Sequence, residues 1–316
     1  LCPVGGSARV VYGGAMRIAT LNVNGIRAAQ RRGFETWRDE RMADVIGLQE
    51  VRCPADQLPL EVFGGYHVTY DPGTLAGRNG VALLTREPVA AVRSWGTQVL
   101  SWAPGTVPVL ADVEDDCVLA RELRAFVAEG RYLEVDLAGA PVTIASVYVP
   151  KGDSPVAPRD RSGSAAAQVR YQRKMAFLAG FARQLRRARL AAAGRGREYV
   201  VLGDFNIAHT RRDLRNWRGN QTSAGFLPEE REWFGSIVSP RTLVDVMRQL
   251  HPDADGPYSW WSWRGKAFDA DTGWRIDYQL ATPRLARLAT AGQVDKETCY
   301  EARISDHAPV VIDYAI

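Results

Sequence analysis

The chain has 316 residues and is poor in several residue types at once: four lysines, four cysteines and four histidines, against 36 arginines. Cys2, Cys53, Cys117 and Cys299 lie far apart with no CxxC pair. That spacing argues against a disulfide framework or a thiolate zinc site and suits a reducing compartment. No run approaches the roughly 20 apolar residues of a membrane-spanning helix, so no membrane partner is expected. There is no Gly-x-x-x-x-Gly-Lys phosphate loop and no nucleophilic serine elbow, which sets aside two large groups of hydrolases. Charge of either sign is not in marked excess: 40 basic residues face 36 acidic ones, for a net charge of +4. Such a balance permits a polyanionic partner without requiring one. The arginine excess fits either phosphate recognition by guanidinium forks or a high-GC genome, and composition does not separate the two.

What is present is a large apolar inventory, 46% of the chain, enough for one big domain or two ordinary ones. Leu1–Ala15 carries Arg9 as its only charge and lacks the pattern of a secretory signal. We expect a flexible extension over 1–15, with Met16 as the natural start, and a single catalytic domain over 16–316. Strand-like runs recur at Met16–Asn22, Val45–Leu48, Gly80–Leu84, Leu133–Leu137, Val142–Val149, Tyr199–Leu202, Ile276–Ala281 and Val310–Tyr314. Helical patterns fall at Phe34–Met42, Ala165–Ala193 and Pro228–Ser236. This interleaving without a long linker predicts one layered α/β domain. Ser154–Ser164 reads as a surface loop, and Trp95–Ala128, with its acidic cluster at Glu114–Asp116, predicts only a short helix. A faint echo relates Ile18-Ala19-Thr20 and Val45–Glu50 to Ile144-Ala145-Ser146 and Val200–Asp204, suggesting two similar halves.

The ends of these strands carry the chemistry. Asn22 and Asn24 stand at i, i+2, on one face if extended, and so do Asp204 and Asn206. Glu50 follows an apolar run directly, Asp277 begins a strand, and Asp306-His307 precede the last one. A single polar strand end commonly caps a turn or helix. Several such ends converging would form a rigid, acid-rich pocket. Oxygen ligands without cysteine suit a hard cation, Mg²⁺ or Mn²⁺, which clamps phosphoryl oxygens. Metal-assisted attack of water on a phosphodiester fits this inventory.

The segments Thr20–Arg27, Leu48–Arg52, Val147–Pro150, Gly203–Ala208, Asn216–Asn220, Gly225–Arg231, Gly273–Tyr278 and Ser305–His307 together resemble the exonuclease III family of AP endonucleases, within the endonuclease/exonuclease/phosphatase superfamily. They occur in family order over about 95% of the chain. The resemblance implies a four-layer α/β sandwich of two packed mixed β-sheets flanked by helices. It implies Asn22, Glu50 and Asp306 at the metal-site positions, with Glu50 the principal Mg²⁺ ligand and Asp204 and Asn206 beside it. Asp204 matches the residue that activates water or protonates the leaving 3′-oxygen, and Asn206 one that holds water and the transition state. Tyr148 matches a phenol aimed at the scissile phosphate. His307 matches an imidazole that contacts this phosphate or acts as general base, oriented by Asp277.

Trp260, Trp274 and Ile276 match an abasic-sugar pocket, while Trp261 reads as core. Trp217, together with Arg27, Arg52, Lys151, Arg211, Arg212, Arg218 and Arg264 on loops beside the motifs, is expected to meet the DNA backbone, giving affinity and salt dependence rather than sequence preference. Arg52 stands where the family has lysine, and Lys151 where an amide is common. His209 could also approach DNA. The expected activity is Mg²⁺-dependent incision of double-stranded DNA 5′ to abasic sites, with trimming of damaged 3′ ends, by a monomer in the bacterial cytoplasm, associated with the nucleoid. The rival is a superfamily phosphoesterase acting on a phosphorylated lipid or small metabolite.

Overall fold

Short β-branched runs bounded by polar residues form strands when both their faces can be buried. The computed structural model describes residues 14–75, 77–113, 118–155 and 165–316. Residues 1–13, the acidic cluster Glu114–Asp116 and most of the Ser154–Ser164 loop lie outside the described residues. The strands are β1 (Ala15–Asn22), β2 (Val45–Gln49), β3 (His67–Asp71), β4 (Val81–Thr85), β5 (Val89–Ser94), β6 (Gln98–Trp102), β7 (Val109–Asp112), β8 (Tyr132–Leu137), β9 (Val142–Tyr148), β10 (Glu198–Asp204), β11 (Val244–Asp245), β12 (Asp277–Ala281), β13 (Ala289–Val294) and β14 (Val310–Ala315). The helices are α1 (Ile26–Arg31), α2 (Phe34–Arg41), α3 (Ala165–Gly194), α4 (Pro228–Ile237), α5 (Val246–Leu250) and α6 (Pro283–Ala286). The Trp95–Ala128 region, expected to hold only a short helix, supplies the hairpin β6–β7 and a 3-10 stretch at Arg121–Glu129.

Two mixed sheets result, ordered β13-β14-β1-β2-β4-β3-β6-β7 and β11-β12-β10-β9-β8-β5. Alternation along each strand sorts its side chains between two cores. Ile18, Val45, Val200 and Leu202 point between the sheets, with Leu83, Val135, Ile144 and Ile312. Their neighbours Ala19, Ile46 and Leu48 face outward onto Phe34 and Phe63. On the other outer face Val201 and Phe205 meet Phe177, Phe181 and Leu185 of α3 and Phe234 of α4. Each buried Val, Leu, Ile or Phe among them contributes about 1.5–3 kcal/mol. Helix–sheet–sheet–helix is therefore the layering, the four-layer sandwich expected from the sequence. The sheets approach so closely at Gly47 that a Cβ there would lie 2.1 Å from Leu202 Cδ1. Polar ties cross the same seam: Gln49 Nε2 donates to Ser146 Oγ at 3.0 Å, and Gln279 Nε2 to the Ile18 carbonyl at 2.8 Å.

The two halves match in chain order. The runs β14-β1-β2-β4 and β12-β10-β9-β8 share one pattern: antiparallel, parallel, antiparallel. With the second run reversed, β1 corresponds to β9 and β2 to β10, the pairing of the sequence echo, and β4 corresponds to β12. In each half the parallel crossover (β1 to β2, β9 to β10) is followed by an antiparallel neighbour (β4, β12) with one further antiparallel strand beyond it (β3, β11).

Parallel strands end, and antiparallel ones begin, along one edge of each sheet. Asn22 pairs in register with Gln49, and Asp204 with both Tyr148 and Asp277. Gly203 makes the approach to Asp204 possible. Its φ is +135°, and a Cβ would sit 2.1 Å from the Val147 carbonyl oxygen. Gly203→Ala should lower unfolding free energy by about 3 kcal/mol, combining backbone strain and overpacking, as read from urea denaturation.

Candidate active site

Two Asx turns open the site, one from each sheet. The Asn24 amide N–H donates to Asn22 Oδ1 at 3.0 Å, and the Asn206 N–H to Asp204 Oδ1 at 2.7 Å. Asn24 and Asn206 consequently take φ of 47° and 51°. The strands do not continue extended through these i, i+2 pairs, as the sequence suggested: the short polar side chain captures the next-but-one N–H and turns the chain. The side chains still converge. Asn206 Nδ2 reaches Asp204 Oδ2 at 3.1 Å and the Val149 carbonyl at 2.9 Å. Asn22 Nδ2 bridges the sheets, donating to Asp204 Oδ2 at 3.0 Å and Glu50 Oε1 at 2.9 Å. Asn24 Nδ2 donates to Asp306 Oδ1 at 2.9 Å, a role the sequence reading did not assign to it. Glu50 and Arg52 join the two asparagines in the left-handed region, at φ 51° and 52°. Conformations of this kind cost about 1–3 kcal/mol each and gather at functional sites.

At the centre lie Asp204, Asp277 and His307, all buried, with one potential ligand atom of each within 4.8 Å of the others. His307 Nδ1 is 2.8 Å from Asp277 Oδ2, and Nε2 is 3.8 Å from Asp204 Oδ2. A carboxylate at that distance requires Nδ1 to carry the proton and donate. Ser259 Oγ, also buried and not singled out by sequence, donates to the same Asp277 Oδ2 at 2.6 Å and holds it in place. Burial by itself would depress the His307 pKa, but Asp277, then Asp204 and Asp306, raise it to about 10. Burial, with Asp277 and Glu50 adding to it and His307 opposing, lifts Asp204 to about 7. Burial and the charges of Glu50 and Asp204 push Tyr148 well above the ordinary phenol range, so it remains a donor. For Asp306 burial works upward, yet His307 and hydrogen bonds from Trp260 and Asn24 hold it below the usual carboxylate range.

The donor set fits a hard cation. Glu50 Oε2 is buried beside the guanidinium of Arg52 and completes no hydrogen bond of regular geometry, with the Tyr148 phenol close to the same carboxylate. A buried carboxylate oxygen lacking such a bond is a ready ligand for a cation of the Mg²⁺ kind, which takes oxygens and few protein groups. Glu50, Asp306, Asp204 and Asn206 line one cavity of about 290 Å³, with Asn22 directly beneath. The tight triad of Asp204, Asp277 and His307 is different in kind. His307 spends Nδ1 on Asp277, and the carboxylates around it favour the imidazolium, which suits a proton-holding role.

The same cavity is walled by Trp260, Trp274 and Ile276, the three predicted pocket residues, and by Tyr148 and Lys151. The two tryptophans meet edge to face at 6.2 Å. Trp260 Nε1 donates to Asp306 Oδ2 at 3.1 Å, which couples the apolar wall to the acid. Trp261 is core, as expected. Of the expected DNA contacts, Arg211 and Arg218 both lie over the Trp217 ring, at 4.3 and 4.6 Å. Arg264 and Lys151 are exposed. Arg27 sits in the first turn of α1 rather than on a loop, bound to Gln57, and Arg212 is engaged by Asp253 and the Pro252 carbonyl. His209 packs against Phe234 at 4.8 Å, a structural contact rather than an approach to the cavity.

The imidazolium gives a testable sign. Its folded pKa of about 10 lies above the unfolded 6.5, so its stabilisation is complete below pH 6.5 and is lost as pH rises through about 10. Histidine-resolved NMR should show His307 protonated at pH 8, and Asp277→Asn should bring its titration below about pH 8. A neutral His307 at pH 8 in the wild-type chain would contradict this picture.

With the geometry in place, the relatives can be compared. Residues 19–307 match the model of the Endonuclease/Exonuclease/phosphatase family. The exodeoxyribonuclease of Bacillus subtilis is 28% identical over 297 residues, 93% of this chain and 98% of that protein. Exodeoxyribonuclease III of Haemophilus influenzae is 27% identical over 307 residues, 95% and 100% of the two. An AP endonuclease from Archaeoglobus fulgidus superposes with a TM-score of 0.74 at 25% identity, covering 95% of this chain and all of the other. A shared fold, a family match over most of the length and a convergent acid–imidazole site agree: the chain belongs to the endonuclease/exonuclease/phosphatase family, and within it is similar to the exonuclease III and AP-endonuclease members.

Proposed function

We propose that this protein is a Mg²⁺-dependent DNA-repair phosphodiesterase that cuts 5′ to abasic sites, leaves a 3′-hydroxyl, and trims damaged 3′ ends. One observation carries the reading: the Asp204–His307–Asp277 group shares a cavity with Glu50 and Asp306 on one side and the Trp260–Trp274–Ile276 wall on the other. An apolar wall beside a phosphate-handling centre suits a sugar that has lost its base, because an abasic nucleotide leaves the stack at little cost.

The roles follow from the protonation states. His307, an imidazolium held by Asp277, donates Nε2–H to a phosphate oxygen; at about pKa 10 it is a poor proton acceptor, which favours phosphate contact over general-base work. Asp204, near 7, suits either taking a proton from the attacking water or returning one to the leaving 3′-oxygen. Tyr148 and Asn206 offer donors to the charge that builds on the phosphorus centre. Asn22, Glu50 and Asp306, with Asp204 and Asn206 adjacent, would hold Mg²⁺, which supplies Lewis-acid stabilisation of phosphoryl oxygens. Arg27, Arg52, Lys151, Arg211, Arg212, Arg218 and Arg264, with Trp217, would meet the backbone of the duplex. Stacking on Trp217 pre-organises the Arg211 and Arg218 forks. The site is complete within one chain, so the chemistry asks for no second copy, and we propose a monomer acting on bacterial cytoplasmic DNA. Among the described residues no helix is long and apolar enough to cross a membrane.

A duplex carrying one tetrahydrofuran abasic analogue should be incised with Mg²⁺ and left intact with EDTA. Cutting in EDTA, or none with Mg²⁺, would refute the reading. Failure to bind duplex at low salt would point instead to a phosphorylated lipid or metabolite. Asp204→Asn and His307→Ala should each lower turnover by at least ~100-fold. Because Asp204 must be ionised to accept a proton, the rate should rise with pH through about 7. Higher Mg²⁺ should move that limb to lower pH, since a nearby cation favours the carboxylate.

A further inference from the structure

Far from the reacting atoms in sequence, two oppositely charged side chains are wholly buried together. Lys174, a third of the way along α3, and Glu230, in the first turn of α4, are both 0% exposed, with Nζ and Oε1 2.6 Å apart. Burying such a pair costs desolvation that its attraction commonly only repays, so stability is a weak reason for it. Its other bonds are more informative. Lys174 Nζ donates to the Lys151 carbonyl at 3.1 Å and to the Asn206 carbonyl at 2.9 Å. Glu230 Oε2 accepts from the Gly225 and Leu227 N–H groups at 2.6 and 3.1 Å.

Lys151, Asn206 and Gly225 belong to three separate loops, and all three line the active-site cavity. The first loop follows Tyr148, the second follows Asp204, and the third leads into α4. They are also fitted to one another. Gly225, at φ +89°, has space for a Cβ only 3.0 Å from the Asn206 oxygen, and the Ala208 N–H donates to the Gly225 carbonyl at 2.8 Å. Gly152 lies against the Lys174 stem, where a Cβ would come within 2.6 Å of Cδ.

We infer that Lys174 and Glu230 are positioning residues for the phosphodiesterase reaction: a buried ionic tether that sets the spacing of the three loops carrying Lys151, Asn206 and Gly225 at the cavity wall. Neither touches substrate. The inference rests on the proposed reaction for its kinetic consequence, but the tether itself can be observed without substrate.

The test is the double substitution K174M/E230Q. It leaves no unpaired buried charge and retains an acceptor for the Gly225 and Leu227 N–H groups, while it removes the ion pair together with the donation to the Lys151 and Asn206 carbonyls and puts an amide N–H₂ where Oε1 stood. Thermal unfolding should stay within a few degrees of wild type, and binding of abasic duplex in EDTA within about twofold. Amide exchange in residues 149–152 and 205–208 should rise at least about tenfold, and kcat on the abasic duplex should fall at least about tenfold with KM little changed. A kcat within twofold of wild type would overturn the inference, as would a kcat loss that only tracks lost folded protein. Unchanged exchange in both segments would overturn it whatever the chemistry. Should the wild-type chain cut no DNA while exchange rises as expected, the tether stands and the proposed reaction fails.

Discussion

Two contacts across the seam between the sheets govern this molecule: Asn22 on Asp204, and His307 on Asp277. Ionisable groups are costly to bury unless each finds a partner in good geometry. Here the partners come from opposite sheets, so neither sheet can complete the set alone. Only when β1 and β14 lie against β10 and β12 do the acid, the amide and the imidazole satisfy one another. The apolar filling of the seam, from Ile18 and Val45 to Val200 and Leu202, makes that apposition rigid. The close approach at Gly47 leaves little room for sliding.

Rigidity explains where the strain sits. Glu50, Arg52, Asn24 and Asn206 hold backbone conformations that most side chains avoid, and they do so within one cavity wall. A well-packed frame can tolerate a few such positions, which then aim their side chains where ordinary strand geometry would not. The Asx turns at Asn22 and Asp204 fulfil both needs at once: they satisfy backbone donors at the strand ends and redirect the chain toward the partner sheet.

Much of this was legible beforehand, for definite reasons. Buried strands such as Val45–Gln49 and Val142–Tyr148 announce themselves as apolar runs, and the family motifs place Glu50, Asp204, Asp277 and His307 at their ends. The layering followed from the alternation of strands and helices. The turn geometry did not, because an i, i+2 amide pair reads the same whether the chain stays extended or closes on its own side chain. The β6–β7 hairpin was obscure since β7 is exposed throughout and gives no burial signal. Ser259 sits among aromatics that draw the eye away from it. Lys174 gave only one hint, a lysine on a helix whose other cations are arginines. Its partners are backbone carbonyls far away in sequence, which no local pattern encodes.

The matched halves have a consequence for how the molecule fails. Since β1 packs across the seam on β10 and β12, the working groups are shared like the two leaves of a hinge, and both governing contacts span the gap between the leaves. A separation of an ångström or so would break the amide bridge and the imidazole–acid bond together, while each sheet and its helices kept their own hydrogen bonding. Both governing contacts therefore depend on the seam staying closed, and not on either sheet alone. The same division lets distant changes in the seam adjust the reacting groups with no change to those groups themselves.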